Sequence, residues 1–161
     1  MNNVARRIDE SALRDFHPRL ADRLSLRTVW SVAKFMPDAK QRVYQAGRAG
    51  MPMPQMIRTF REDFMEELII PGNLALNEGL NELFTILCSA ASGTKFDNAN
   101  AYLGVGDSTA AAEATQEGLQ AATNKLYKSM DTGYPEYGSA QKSTWRSTFG
   151  AAEANFAWQE Y

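Results

Sequence analysis

The chain has 161 residues, 44% of them hydrophobic and 22% charged, with a net charge of -2. This is the composition of an ordinary globular chain long enough for one domain with a real core, and no run approaches the ~18 apolar residues that would cross a bilayer. One cysteine, Cys88, and one histidine, His17, exclude an internal disulfide and a thiolate zinc cluster and leave little room for histidine-based triads or imidazole metal sites.

The charge is unevenly spread. Residues 1–50 hold ten Lys or Arg against five Asp or Glu, and residues 51–161 hold seven against fourteen, so a basic front precedes an acidic body. Met1 to Asp15 is too charged to contain the apolar stretch of a secretory signal, and the chain is expected to be soluble, with no membrane partner. Val4, Ile8, Ala12 and Phe16 recur at helical spacing until His17-Pro18, where the residue before proline leaves the α region. Leu20 and Leu24 suggest another short turn. Leu26 to Phe35 fits a helix or a strand. Pro37 suits the first residue of a helix running to about Ala46, with Gly47 and Gly50 beyond it. Residues 1–50 thus read as a basic helical arm or docking segment, whose pieces have too little apolar surface to stand alone.

GRAGMPMPQM, rich in proline and glycine, marks a linker at about residues 51–58. Met56 to Ile70 fits either a helix, through Ile57, Phe60, Phe64 and Leu68, or a strand ending in Leu68-Ile69-Ile70 before the turn at Pro71-Gly72. A helix at about residues 77–90 is the clearest element, with Asn77 as N-cap and Leu80, Leu83, Phe84 and Leu87 as its apolar stripe, continuing through a buried Cys88. From Asn100 the period changes to two: Ala101, Leu103, Val105; Leu126, Lys128, Met130; Trp145, Ser147, Phe149; Ala154, Phe156, Trp158. Gly133, Pro135, Gly138 and Gly150 punctuate these runs. The predicted fold class is α+β: a basic N-terminal helical arm, then a β-rich, sandwich-like body over residues 59–161 with one packed helix. A strand that stops at NFAWQEY leaves an edge to be covered by further chain or by another subunit.

Three stretches invite a chemical reading. LGVGDS, residues 103–108, has neither the third glycine of a dinucleotide fingerprint nor the Gly-Lys-Ser/Thr ending of a phosphate loop, so Gly104 and Gly106 are read as packing glycines at a strand end. Glu62, Asp63, Glu66 and Glu67 lack the spaced oxygen ligands of a calcium loop and read as a solvated face. Arg6, Arg7, Arg14, Arg19, Arg23 and Arg27 alternate with acidic residues and lie in no nucleic-acid recognition motif, so these arginines, with Trp30, are the candidate residues for binding a protein partner, and nucleic acid is the less favoured one.

The ordered series NLALNEGLNELF, FDNANAYLGVGDS, GLQAATNKLYKSMDTGYP and TWRSTFGAAEANFAWQE, within residues 60–161, resembles small structural proteins encoded by tailed bacteriophages. The resemblance implies a non-enzymatic β-sandwich-like virion module, with a strand before Pro71-Gly72 and no cofactor, metal or catalytic residues to carry over. Members commonly continue past NFAWQE with further strands, and the basic front lies outside the resemblance. The expected role is a capsid decoration or cement protein, held on the head surface by its N-terminal arm, localised to the virion after assembly in the host cytoplasm and oligomeric, with a trimer as the natural form. A tail baseplate, adaptor or fibre-associated protein is the alternative, using aromatic loops near Tyr134 and Tyr137. A small cell-wall hydrolase is the further one, although the sequence singles out no carboxylate pair.

Overall fold

A computed structural model describes residues 28–72, 74–89 and 93–161. The chain is α+β, and its described strands form three small antiparallel sheets of two strands each, with no barrel among them. The elements in chain order are β1 (Val29–Phe35), a 3-10 turn over Pro37–Ala39, α1 (Lys40–Arg48), α2 (Met53–Thr59), β2 (Phe64–Pro71), α3 (Asn77–Cys88), β3 (Tyr102–Gly106), β4 (Lys125–Ser129), β5 (Glu136–Ser139) and β6 (Lys142–Thr144).

The ambiguity at Leu26 to Phe35 resolves to strand over Val29–Phe35. Its β-branched and aromatic side chains gain cross-strand partners on β2, from Val29 opposite Pro71 to Lys34 opposite Glu66. A bulge after Lys34 brings Phe35 opposite Phe64. Ser31 Oγ donates to Glu67 on one face at 2.5 Å, and Lys34 pairs with Glu66 on the other at 2.8 Å. The β2 strand before Pro71-Gly72 follows the expectation, and Gly72 at φ +88 makes the turn.

Two boundaries differ from the sequence reading. Residues 51–58, expected as a linker, hold most of α2: Pro54 sits in its first turn, where a missing N–H costs nothing, and Met56 is buried on its inner side. Residues 28–50, expected in the arm, belong to the folded body. The core cluster is Ala39, Val43 and Met56 under Phe35, Met51 and Phe60, with Phe35 meeting Phe60 edge-on at 6.4 Å and Phe64 at 5.7 Å. Pro37 opens the 3-10 turn that leads into α1 rather than α1 itself, and α1 runs on to Arg48 because Gly47 is buried against Thr148 rather than ending it. The rest of the expected arm, with Arg6, Arg7, Arg14, Arg19, Arg23 and Arg27, lies outside the described residues.

Helix α3 has Leu76, not Asn77, at its N-cap, and the Asn77 N–H is instead taken by the Ala114 carbonyl at 2.8 Å. No residue of α3 is fully buried. Leu80 and Leu83 are half-covered, whereas Phe84, Leu87 and Cys88 face outward, so the expected burial of Cys88 is corrected. Strands β3 and β4 form where period two is predicted, pairing Leu103 with Lys128 and Val105 with Leu126. Gly104 lies under the Tyr127 ring, and Gly106 meets Glu160 through both its N–H and its carbonyl, so both are the close-packing glycines that the sequence suggests. The runs at 145–149 and 154–158 are not regular strands. They wrap the sheet as extended chain and turns, with Phe149 against Trp158 at 5.1 Å.

Candidate functional site

The most organised polar constellation is centred on Asp131, one residue past Met130 at the end of the β4 segment. Its carboxylate is fully buried and accepts four hydrogen bonds: Arg48 Nη1 at 3.0 Å, Arg146 Nε at 2.9 Å, the Thr148 N–H at 3.0 Å and Thr148 Oγ1 at 2.7 Å. Charge-assisted bonds of this length are the strong kind, and a buried carboxylate needs them.

The two arginines carry the network outward. Arg48, in the last turn of α1, also donates to the Ser129 carbonyl at 2.6 Å and to Ser129 Oγ at 3.0 Å. Arg146 is itself buried; it donates to the carbonyls of Gly47, at 2.8 Å, and Met51, and its guanidinium lies 4.3 Å from the centre of the Tyr134 ring. From the other side, Asn98 Nδ2 donates to the carbonyls of Asp131 and Tyr134 at 2.9 and 2.7 Å. One carboxylate thus joins the end of α1, the end of the β4 segment and the 146–148 strap, while its own carbonyl takes the loop before β3. Burial raises the pKa of the Tyr134 phenol above its ordinary 10.0, partly offset by Arg146.

A second cluster lies nearby. Lys128 Nζ donates to both oxygens of Glu153 at 2.6 and 2.7 Å and to Tyr44 Oη at 3.1 Å, and the Gly150 N–H donates to Glu153 at 2.7 Å. Burial opposes charge on both groups. For Glu153, the Gly150 and Lys128 bonds outweigh burial and hold the carboxyl below its ordinary 4.5; for Lys128, the Glu153 and Tyr44 bonds outweigh it and push the amine above 10.5.

These arrangements clamp backbone segments together. With four donors on it, Asp131 has no lone pair directed at an open space, and Glu153 is held by a cation and a backbone amide. An open groove of about 510 Å³ lies between α3 and residues 114–117 and is lined by Asn81, Glu82, Thr85, Gln116 and Glu117 among others. Among the described residues no group of three His, Cys, Asp or Glu could hold a metal ion. Of the acidic run expected to be a solvated face, Asp63 pairs with Arg42 at 3.3 Å, and Glu66 and Glu67 bond Lys34 and Ser31.

Of the residues predicted to bind a partner, Trp30 alone lies within the described structure. It is half-buried on β1, 5.4 Å from the Tyr161 ring, and its buried indole N–H has no hydrogen-bond partner among the described residues. Sequence reasoning missed Arg48, Asp131 and Arg146. The two-residue period placed Trp145 inward and therefore Arg146 outward; the structure does the reverse, burying Arg146 and leaving Trp145 exposed, its Nε1 donating to the Phe96 carbonyl at 3.1 Å.

The surface carries large apolar side chains beside its charged ones. Among the described residues, thirteen large hydrophobic side chains are exposed, against seven buried hydrophobic ones. No helix among them is long and apolar enough to cross a membrane. Comparison of the chain with family models, curated proteins and solved structures finds no match.

Proposed function

We propose that this protein is a non-enzymatic structural subunit of a tailed-bacteriophage virion, placed on the outer capsid as a decoration or cement protein. The observation that carries the reading is the excess of exposed over buried large hydrophobic side chains among the described residues. Surfaces of this kind mark interaction sites, and a chain that leaves Ile69, Met65, Phe84 and Leu87 outside is suited to being covered by neighbours in an assembly. The four ordered motifs that resemble phage structural proteins supply the kind of assembly.

The attachment segment is proposed to be the front of the chain, where six arginines, Arg6 to Arg27, precede the folded body. Strands from neighbouring subunits would complete the sandwich-like body expected from the resemblance, since each described sheet has two strands. Many such contacts per particle add through avidity. A tail location is favoured by one observation, the 78% exposure of Tyr137 on β5, which suits contact with a receptor; Tyr134 is buried under Arg146 and cannot share that role.

Imaging of purified particles with and without this protein separates the two placements. Density missing from the head surface is the expected result; density missing from the tail with an unchanged head overturns the capsid placement.

A further inference from the structure

The ribbon of β1 and β2 has an asymmetry that fixes how it can grow. A two-stranded sheet is marginal by itself, and among the described residues no third strand pairs with either edge. Natural edges are blunted by charge, proline or bulges. Strand β2 has such protection: Glu66 and Glu67 in its middle, Pro71 at its end and the bulge near Phe64. Strand β1 runs Val29-Trp30-Ser31-Val32-Ala33 without charge, proline or bulge until Lys34. The open edge is therefore on β1.

We infer that β1 pairs antiparallel with β1 of a second copy of this chain, joining two ribbons into a four-stranded sheet in the order β2, β1, β1, β2. The choice of occupant follows from charge. A two-fold contact through β2 would bring four carboxylates, Glu66 and Glu67 from each copy, into the central rows, where like charges destabilise. A β1-to-β2 contact is head-to-tail and does not close with two copies.

The β1-to-β1 contact is self-complementary. The register that uses all seven residues places Val32 opposite itself, Ser31 opposite Ala33, Val29 opposite Phe35, and Lys34 opposite Trp30 of the partner subunit. That last pair sets the strand's only charge against an indole, a favourable match for an ammonium. The exposed Val29 and Ile69, 61% and 59% accessible on one face of the ribbon, would then lie on a sheet of doubled width. The contact makes the basic unit a symmetric pair rather than the trimer expected from the sequence, and it does not depend on the virion assignment, because it is read without particles.

The test uses the full chain with Cys88→Ser as background. Sedimentation should give a mass of two chains, and adding Val32→Cys should let mild oxidation or a short bismaleimide convert that dimer to a covalent one, while Glu67→Cys on β2 stays uncoupled. Should Val32→Cys fail to fold, a mixture of Ser31→Cys and Ala33→Cys chains reads the same register, giving a mixed covalent dimer. A monomer across the micromolar range overturns the inference. So does a dimer that couples through Glu67→Cys, or through none of these positions.

Discussion

Asp131 shows how one buried charge can organise a chain whose apolar core is small. It has no solvent contact and holds two arginines that are 98 residues apart in sequence, Arg48 and Arg146. A buried ion pair adds little beyond what a well-packed apolar group of the same volume would, but removing one partner leaves the other charges unpaired in a low-dielectric site. Asp131→Ala is therefore expected to cost about 3–5 kcal/mol, a large part of the ~5–15 kcal/mol that holds a typical domain together. Arg48→Ala should cost less, because Arg48 is partly exposed and Asp131 keeps Arg146 and Thr148. Denaturant titration of the variants checks both; equal midpoints for Asp131→Ala and the parent chain would show that the carboxylate is not the clamp described. The network was not legible in the sequence because nothing local marks which of nineteen acidic residues is buried. Asp131 sits in a turn-rich stretch, MDTGYP, that reads as surface, and its partners come from an α-helix and an irregular strap.

At the scale of elements, the sequence was most readable where one period ran unbroken. The α3 stripe and the alternation at 101–105 and 126–130 place α3, β3 and β4 within a few residues of where they form. It was least readable where two periods coincide or where a strap imitates a strand. MPMPQM carries the proline signature of a linker, yet Pro52 and Pro54 stand at the N-cap and in the first turn of α2, positions a helix tolerates. Residues 145–149 alternate like a strand, and the Arg146 carbonyl accepts the Asp131 N–H at 2.9 Å, but the Thr148 N–H goes to the Asp131 side chain, so no regular ladder continues.

The Lys128–Glu153 pair ties β4 to the turn at 150–153 and, through Tyr44, to α1. It gives the elements a defined pH response. Glu153 has a lowered pKa in the folded chain, so its contribution is present above pH 4.5 and is lost as pH falls through the folded value. Lys128 has a raised one, so its contribution is present below pH 10.5 and is lost as pH rises through the folded value, the direction in which Tyr134 also acts. Thermal unfolding across pH should show a plateau between these limits. Glu153→Gln should lower the plateau by about 0.5–1 kcal/mol, the size of a partly screened pair, and flatten the acid side. An unchanged acid limb in Glu153→Gln would assign the acid loss to other carboxylates.

At the scale of the whole molecule, the body is held together by polar clamps and one modest apolar cluster while large hydrophobic side chains stay outside. That division suits a subunit whose remaining apolar surface is covered on assembly, and it joins the exposed ribbon, the outward face of α3 and the basic front into one proposal: a module that attaches to a particle and to its own copies. The most direct test is protein mass spectrometry of phage particles purified through a density gradient from the host that makes this chain. The account predicts peptides of this protein in the intact particle band, at a copy number comparable to other surface subunits and resistant to washing. Its absence from particles that contain the remaining structural proteins, with the chain recovered free in the lysate, would contradict the account.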